Sequence, residues 1–360
     1  MLRLKFLSLE RRLEKIKRVC HSEVAPMTLS DNRSTVRSTG IPSSQKLKRR
    51  SIAPVSNRST ICLPNTSSVI KAQVSLAGYT SWRVGGPAEW YTAPRDVVDL
   101  WPLLEWAKAE ELSVTLLGAG TNLLVSDRGL PGLILGTRHL RFTRFDPETG
   151  QVTAAAGVPI ARLAWQAAER GWRGLEWAVG IPGSVGGAVV MNAGAHRSEA
   201  ADILVSTQVL STAGAIEPFT PDQLGFRYRT SILQGSGQLV TQATFQLQPG
   251  SDPQQVLAET TAHLEQRRAT QPYHLPSCGS VFRNPDARTA GWLIEQTGLK
   301  GYQVGGAQVS DRHANFILNC GGATASDIFQ VIRDVQARVE QRWSVRLEPE
   351  VKMLGEFVTV

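Results

Sequence analysis

Hydrophobic positions change their period several times along this chain, and each change marks a different kind of element. Leu100, Leu103, Leu104 and Ala107 recur at helical spacing behind Pro94 and Asp96, residues suited to a helix start. Val114 to Leu117 is a short apolar run stopped by Gly118, the pattern of a buried strand. Ile160, Leu163, Ala164 and Ala167 share one face of a second helix, which Gly171 can end in a left-handed conformation. Val240 to Leu247 alternates as a strand and breaks at Pro249-Gly250. Beyond that break the spacing predicts helices over 253–268, 287–297 and 326–342. The last of these turns Ile328, Val331, Ile332, Val335 and Val339 inward, with Thr324 or Ser326 as its cap. Regular structure begins near Val74, and the body is of the mixed α/β and α+β class.

The first seventy residues follow a different rule. Residues 1–18 read as a short basic helix, and from Asn32 to Ile70 the chain is rich in Ser, Thr, Arg, Lys and Pro and has no acidic residue. Such a segment buries too little apolar surface to fold, so residues 1–68 are expected to form a disordered basic extension. Charge is divided accordingly. Residues 1–70 hold 14 Lys+Arg against four Asp+Glu, which leaves 25 basic and 27 acidic residues for the rest of the chain. The formal net charge of +8 therefore belongs to the extension, and the body offers no basic surface for tracking a nucleic acid. No apolar run reaches the roughly 18 residues of a membrane span, so no membrane insertion is expected. Cys20, Cys62, Cys278 and Cys320 are too scattered for a metal knuckle or a disulfide framework, which points to a reducing cytoplasm and to no metal.

Two glycine-rich segments carry the first chemistry. Gly118-Ala119-Gly120-Thr121-Asn122-Leu123 follows a strand, where small residues let backbone N–H groups approach a pyrophosphate. It does not match the dinucleotide-binding fingerprint, because Leu123 stands in place of the third glycine. The second segment, Gly180-Ile181-Pro182-Gly183-Ser184-Val185-Gly186-Gly187-Ala188, runs on through Asn192 to Gly194. Its glycines suit backbone wrapped against a flat or charged ligand, with the Ser184 hydroxyl free to join. No lysine follows as a P-loop requires, and a Gly-x-Ser-x-Gly nucleophile turn is absent.

These two loops, preceded by Val84-Gly85-Gly86-Pro87-Ala88, resemble the FAD-binding core of the vanillyl-alcohol-oxidase-like flavoproteins. Three further motifs follow in order: Phe226-Arg227-Tyr228-Arg229-Thr230-Ser231, Cys278-Gly279-Ser280-Val281-Phe282-Arg283-Asn284-Pro285 and Glu348-Pro349-Glu350-Val351. Together they resemble the UDP-N-acetylenolpyruvoylglucosamine reductase family, and the resemblance runs from about Ser75 to the C-terminus. It implies non-covalent FAD, NADPH as hydride donor, and reduction of an enolpyruvyl nucleotide sugar to UDP-N-acetylmuramate for peptidoglycan. It implies catalytic roles for Arg229, Ser280 as proton donor and Glu350. Tyr228, Asn284 and His313 fall where substrate contacts are expected. The implied layout is a two-part FAD-binding domain over 69–250, a substrate-binding domain over 251–344, and a final strand in 345–360 that returns to the FAD domain. Only about fifty residues separate Arg229 from Ser280, as in the shorter subtype without an inserted capping segment.

The residue types suit that chemistry. Hydride addition to an enol ether drives charge onto the neighbouring carboxylate, which a permanently charged, planar guanidinium such as that of Arg229 can hold. A serine on a Gly-Ser turn can deliver a proton at short range. Glu350, set among apolar neighbours, is expected to be paired or raised in pKa. The alternatives are an oxidase or dehydrogenase of the same fold, or a flavin-fold binding protein without activity.

Overall fold

The computed structural model describes residues 59–357, so the basic helix expected over 1–18 lies outside the described residues. Two five-stranded sheets and a smaller C-terminal lobe make up this body. The first sheet contains β1 (Thr60–Cys62), β2 (Val69–Ser75), β3 (Pro87–Thr92), β4 (Val114–Leu117) and β6 (Leu130–Gly136), in the order β1-β2-β3-β6-β4. β1, β2 and β3 pair antiparallel, while β3, β6 and β4 run parallel. The chain passes from β3 to β4 through α1 (Leu100–Ala109), whose Leu100, Leu103 and Ala107 are buried. A parallel connection of this kind requires a crossover element, and the helical periodicity supplies it.

The second sheet is antiparallel, with the order β12-β11-β13-β8-β7. Its strands are β7 (Thr143–Asp146), β8 (Gln151–Ala155), β11 (Leu204–Leu210), β12 (Ile216–Phe219) and β13 (Leu239–Gln246). The short α3 (Val185–Val190) packs on β13 and β8, α2 (Ile160–Ala168) joins the same core, and the hairpin β9 (Gly194–Ala195) and β10 (Ser198–Glu199) follows α3. One core joins the two sheets: Ile70, Trp90, Leu133 and Leu135 of the first lie in the same cluster as Val152, Ala154, Val240 and Phe245 of the second. The small helices α4 (Ala200–Ile203) and α5 (Pro221–Leu224) complete this half.

α6 (Pro253–Thr270) starts with Asp252 as cap, its carboxylate accepting from Gln254 N at 2.9 Å, and with Pro253 in the first turn. The C-terminal lobe then contains α7 (Ala290–Gln296), β14 (Gln303–Val304), β15 (Ala307–Val309), β16 (Ile317–Asn319) and α8 (Ala325–Trp343). Its core is formed by Leu293, Val309, Ile328, Val331, Ile332 and Val335, among others. β17 (Lys352–Leu354) pairs in parallel with β5 (Leu123–Val125), directly after the first glycine loop.

Three expectations need correction. Residues 59–68 are structured: β1 pairs with β2, and Asp99 accepts hydrogen bonds from Ser67 N, Ser67 Oγ and Ser68 Oγ at 3.2, 2.9 and 2.7 Å. A local excess of polar residues conceals this order because the stabilising partner, Asp99, is thirty residues away. α6 packs on α2 and on the turn at 176–178, and Arg173 pairs with Glu259 at 2.6 Å. The Pro249-Gly250 break therefore ends a strand and does not open the C-terminal lobe. Glu350, expected within a strand, precedes β17 in an irregular segment.

Candidate active site

The site forms where the two glycine loops, the Arg229 turn and the C-terminal lobe converge. In the first loop, Gly120 has a φ of 68°, and a Cβ there would collide with the carbonyl of Tyr79. That glycine lets the loop close down on its neighbour. Among the described residues, the amides of Ala119, Gly120, Thr121 and Asn122 donate to no protein acceptor. Successive free N–H groups on a tight loop form a nest suited to an oxyanion. The second loop lies opposite: the Thr121 hydroxyl donates to the Pro182 carbonyl at 3.0 Å, and a Cβ on Gly118 would sit 3.1 Å from Ser184 Oγ. Ile181 packs on the main core, and the Gly183 carbonyl accepts from Ile160 N at 3.1 Å. Gly186 brings α3 down onto β8, since a Cβ there would lie 2.9 Å from that of Ala156. These loops fit a dinucleotide with a diphosphate centre.

Two of the expected cofactor residues also brace the protein. The buried Ser184 hydroxyl caps α3 by accepting from Gly187 N at 3.3 Å, which leaves its own proton free to donate. Asn192 is fully buried, donates to the Arg227 carbonyl at 3.2 Å and accepts from Ala201 N at 3.0 Å. Its side chain ties the second glycine segment to the Arg229 turn. The Gly180 carbonyl is likewise held by Tyr273 OH at 3.0 Å and Arg267 Nε at 3.2 Å. Asn122 joins the first loop to the C-terminal segment, donating to the Glu350 carbonyl at 3.1 Å and accepting through its own carbonyl from Lys352 N. Leu123 begins β5 opposite Lys352.

Arg229 occupies a turn closed by reciprocal bonds between Arg227 and Thr230, and its φ is 54°. A left-handed non-glycine residue costs roughly 1–2 kcal/mol, and such strain concentrates at functional sites. The turn aims the guanidinium inward, where it donates to the carbonyls of Asn192 (3.2 Å) and Gly194 (2.5 Å) and lies 3.4 Å from Glu350 Oε1. Burial pushes the Glu350 carboxyl above the usual carboxylate range, against the opposing pull of Arg229 and Arg283. The Cys278 thiol is also pushed up, first by burial and then by the nearby Glu350 charge.

Ser280 follows Gly279, whose φ is 85°, and its hydroxyl makes no hydrogen bond among the described residues. The segment after it is clamped from both sides. Asn315 accepts from Phe282 N through Oδ1 at 2.9 Å, donates to the Phe282 carbonyl at 2.8 Å, and takes Val281 N on its own carbonyl at 2.9 Å. On the other side Glu350 N donates to the Val281 carbonyl at 2.8 Å, and Arg283 N donates to the Glu348 carbonyl at 2.9 Å. Arg229, Ser280 and Glu350 are thus brought together from positions up to 121 residues apart in sequence. Asn315 was missed because a lone Asn in a buried strand entry carries no local signal of its partner.

Tyr228 is half exposed beside Arg229, with the guanidinium 5.2 Å from its ring centroid. Asn284 is exposed, and its Oδ1 accepts from Ala290 N at 3.0 Å at the start of α7. His313 packs edge-on to Phe316 and accepts from Asn315 N at 3.3 Å, and burial pulls its pKa down. A cavity of about 330 Å³ opens beside this group, lined by residues that include Arg83, Pro182, Tyr273 and Gly279.

Comparison with known proteins agrees with this architecture. An FAD binding domain family matches residues 88–219, and the UDP-N-acetylenolpyruvoylglucosamine reductase C-terminal domain family matches residues 271–354. Proteins named UDP-N-acetylenolpyruvoylglucosamine reductase are among its relatives. The one from Nostoc punctiforme is 64% identical over 297 residues, covering 82% of this chain and 90% of its own. The one from Synechocystis is 56% identical over 299 residues, covering 82% and 94%. The crystal structure of UDP-N-acetylenolpyruvylglucosamine reductase (MurB) from Thermus caldophilus superposes with a TM-score of 0.67 at 35% identity, over 79% of this chain and 98% of that one. Fold and loops define an FAD-binding flavoprotein of the vanillyl-alcohol-oxidase type with an added C-terminal domain. Within that class, the chain belongs to the UDP-N-acetylenolpyruvoylglucosamine reductase family.

Proposed function

We propose that this protein reduces UDP-N-acetyl-3-O-(1-carboxyvinyl)-glucosamine to UDP-N-acetylmuramate, a step in peptidoglycan precursor synthesis, with NADPH and FAD. The observation that carries this reading is the convergence of Arg229, Glu350 and the unpaired Ser280 hydroxyl at the mouth of the glycine loops. Bound FAD would supply the hydride chemistry, taken from NADPH and directed to the methylene carbon of the enol ether. The amides of residues 119–122 would hold its diphosphate, and Pro182 and Gly183 would border it.

The protein's own contribution is charge and a proton. As hydride reaches the methylene carbon, electron density moves onto the carbon bearing the carboxylate and into the carboxylate itself. Arg229, fixed by two backbone carbonyls, holds that charge without having to reorganise. Ser280 then passes its proton to the carboxylate-bearing carbon, which completes the C–H bond. Glu350, raised in pKa by burial, lies beside Arg229 and on the backbone adjoining Ser280, where it supports the proton's replacement. Asn192 and Asn315 position these groups. Tyr228 and His313 border the substrate, and Asn284 acts from the start of α7. Separate, unpaired thiols at Cys62, Cys278 and Cys320 suit a cytoplasmic enzyme.

Ser280→Ala tests the assignment because the two halves of the reaction use different residues. Bleaching of the flavin by NADPH needs no proton from Ser280 and should keep a near-normal rate. Reoxidation by the enolpyruvyl nucleotide should slow by about 10²–10⁴-fold. Reoxidation as fast as wild type would remove Ser280 from the role of proton donor.

A further inference from the structure

The cavity beside the catalytic group contains a cation that the reaction described above does not use. Arg83 lines it together with Ser81, Pro182, Tyr273, His274 and Gly279. Gly279 immediately precedes Ser280, so one wall of the cavity is next along the chain to the proposed proton donor. The turn that presents Arg83 is unusually well fixed. The Thr80 hydroxyl donates to the Val84 carbonyl at 2.7 Å and accepts from Val84 N at 3.2 Å, and Arg83 N donates to the Thr80 carbonyl at 3.1 Å. Trp82 is fully buried and bound to the C-terminal lobe from both its ends: its indole N–H donates to the Ile317 carbonyl at 2.7 Å, and its own carbonyl accepts from Asn319 Nδ2 at 2.9 Å. Arg83 itself adopts a left-handed φ of 57°. The protein thus holds an arginine in a strained backbone conformation, on an anchored turn, at a cavity wall.

That arginine has nothing in the protein to pair with. Arg83 is exposed, and among the described residues its guanidinium has neither an ion-pair partner nor a hydrogen-bond acceptor. Two residues earlier, and lining the same cavity, the Ser81 hydroxyl is buried without a hydrogen-bond partner. A buried unpaired hydroxyl and a free guanidinium on one wall are the donor set of an oxyanion site.

We propose that Arg83 and Ser81 bind the diphosphate of the nucleotide-sugar substrate and so hold its sugar end against Ser280. This deepens the reductase reading and rests on it. Two observations favour the substrate's diphosphate over that of a dinucleotide. The flavin dinucleotide has its own nest in the free amides of residues 119–122. The cavity, at about 330 Å³, reaches Gly279 beside the proposed proton donor, where the reacting end of the nucleotide sugar is required. A substrate anchored by its diphosphate extends its enolpyruvyl group toward Gly279-Ser280.

The test compares Arg83→Gln, Arg83→Lys and Ser81→Ala with wild type in the flavin-loaded enzyme. Losing a charge-assisted bond in such a pocket typically costs about 10- to 100-fold in affinity. KM for the enolpyruvyl nucleotide should therefore rise about 10- to 100-fold in Arg83→Gln, with kcat changed much less, and Arg83→Lys should recover part of the loss. Ser81→Ala should raise KM in the same direction by a smaller factor. UDP should perturb the flavin spectrum of wild type at far lower concentration than uridine does, and that advantage should collapse in Arg83→Gln. Loss of flavin from Arg83→Gln, or a rise confined to the KM for NADPH, would assign the corner to a dinucleotide and overturn the proposal. An unchanged substrate KM would overturn it as well. Failure of wild type to turn over the nucleotide sugar would refute the reductase reading itself, a result separate from any behaviour of the variants.

Discussion

Glu350 shows how a single residue's surroundings set its chemistry. Its carboxyl is raised in pKa because burial outweighs the attraction of Arg229 and Arg283. The folded protein therefore keeps that proton at pH values where the unfolded chain has lost it. By linkage, the contribution is fully present below the ordinary value of 4.5 and is lost as pH rises through the higher folded value. Glu350→Gln cannot titrate, so across that window its thermal midpoint should fall less with rising pH than that of wild type. Parallel pH profiles would show that the carboxyl is not raised. At this scale the sequence was legible wherever a residue sits inside a recognisable string, as Arg229, Ser280 and Glu350 do. Asn315 and Arg83 were not legible, because their significance lies in partners: a backbone segment more than thirty residues away for the first, and an empty wall for the second. Ser184 and Asn192 also brace the backbone, as a helix cap and as a tie to the Arg229 turn, and a glycine-rich string does not reveal which side chains turn back to do so.

Among the elements, the strongly periodic segments were the readable ones. The predicted helix over 326–342 is α8, and the run Val114 to Leu117 is β4, because each buries one continuous stripe or run. α6 was placed correctly along the chain but assigned to the wrong partner. With only Val256 and Thr260 buried, its sequence says little about which surface it covers. The junction between halves depends on a cap that no local pattern announces. Asp127, in the turn after β5, accepts from Ala325 N and Ser326 N at 2.8 Å each and from Ser326 Oγ at 2.7 Å. A carboxylate at a helix N-terminus also meets the favourable end of its dipole. Asp127→Ala should destabilise the protein by about 1–2 kcal/mol, read as a lowered denaturation midpoint at unchanged denaturant slope. A stability within error of wild type would mean that Thr324 alone caps α8.

For the whole molecule, the contacts that join the FAD-binding half to the C-terminal lobe include β17 on β5, Trp82 on β16, and Asp127 on α8. The first of these adjoins the site directly, since Asn122 bonds the Glu350 carbonyl and Lys352 N, so lobe packing and site geometry are linked there. The N-terminal boundary can be tested on the same grounds. Removing residues 1–58 should leave turnover within about threefold of the full chain. Removing residues 1–68 should lower stability, since it strips β1 and the three hydrogen bonds to the buried Asp99. Equal stability of the two truncations would deny residues 59–68 a place in the fold. The reductase assignment itself is tested most directly by one anaerobic spectroscopic experiment: reduce the bound flavin with one equivalent of NADPH, then add the enolpyruvyl nucleotide. The account predicts that the oxidised flavin spectrum returns with one equivalent of UDP-N-acetylmuramate formed. Flavin that stays reduced in the presence of that nucleotide would contradict it.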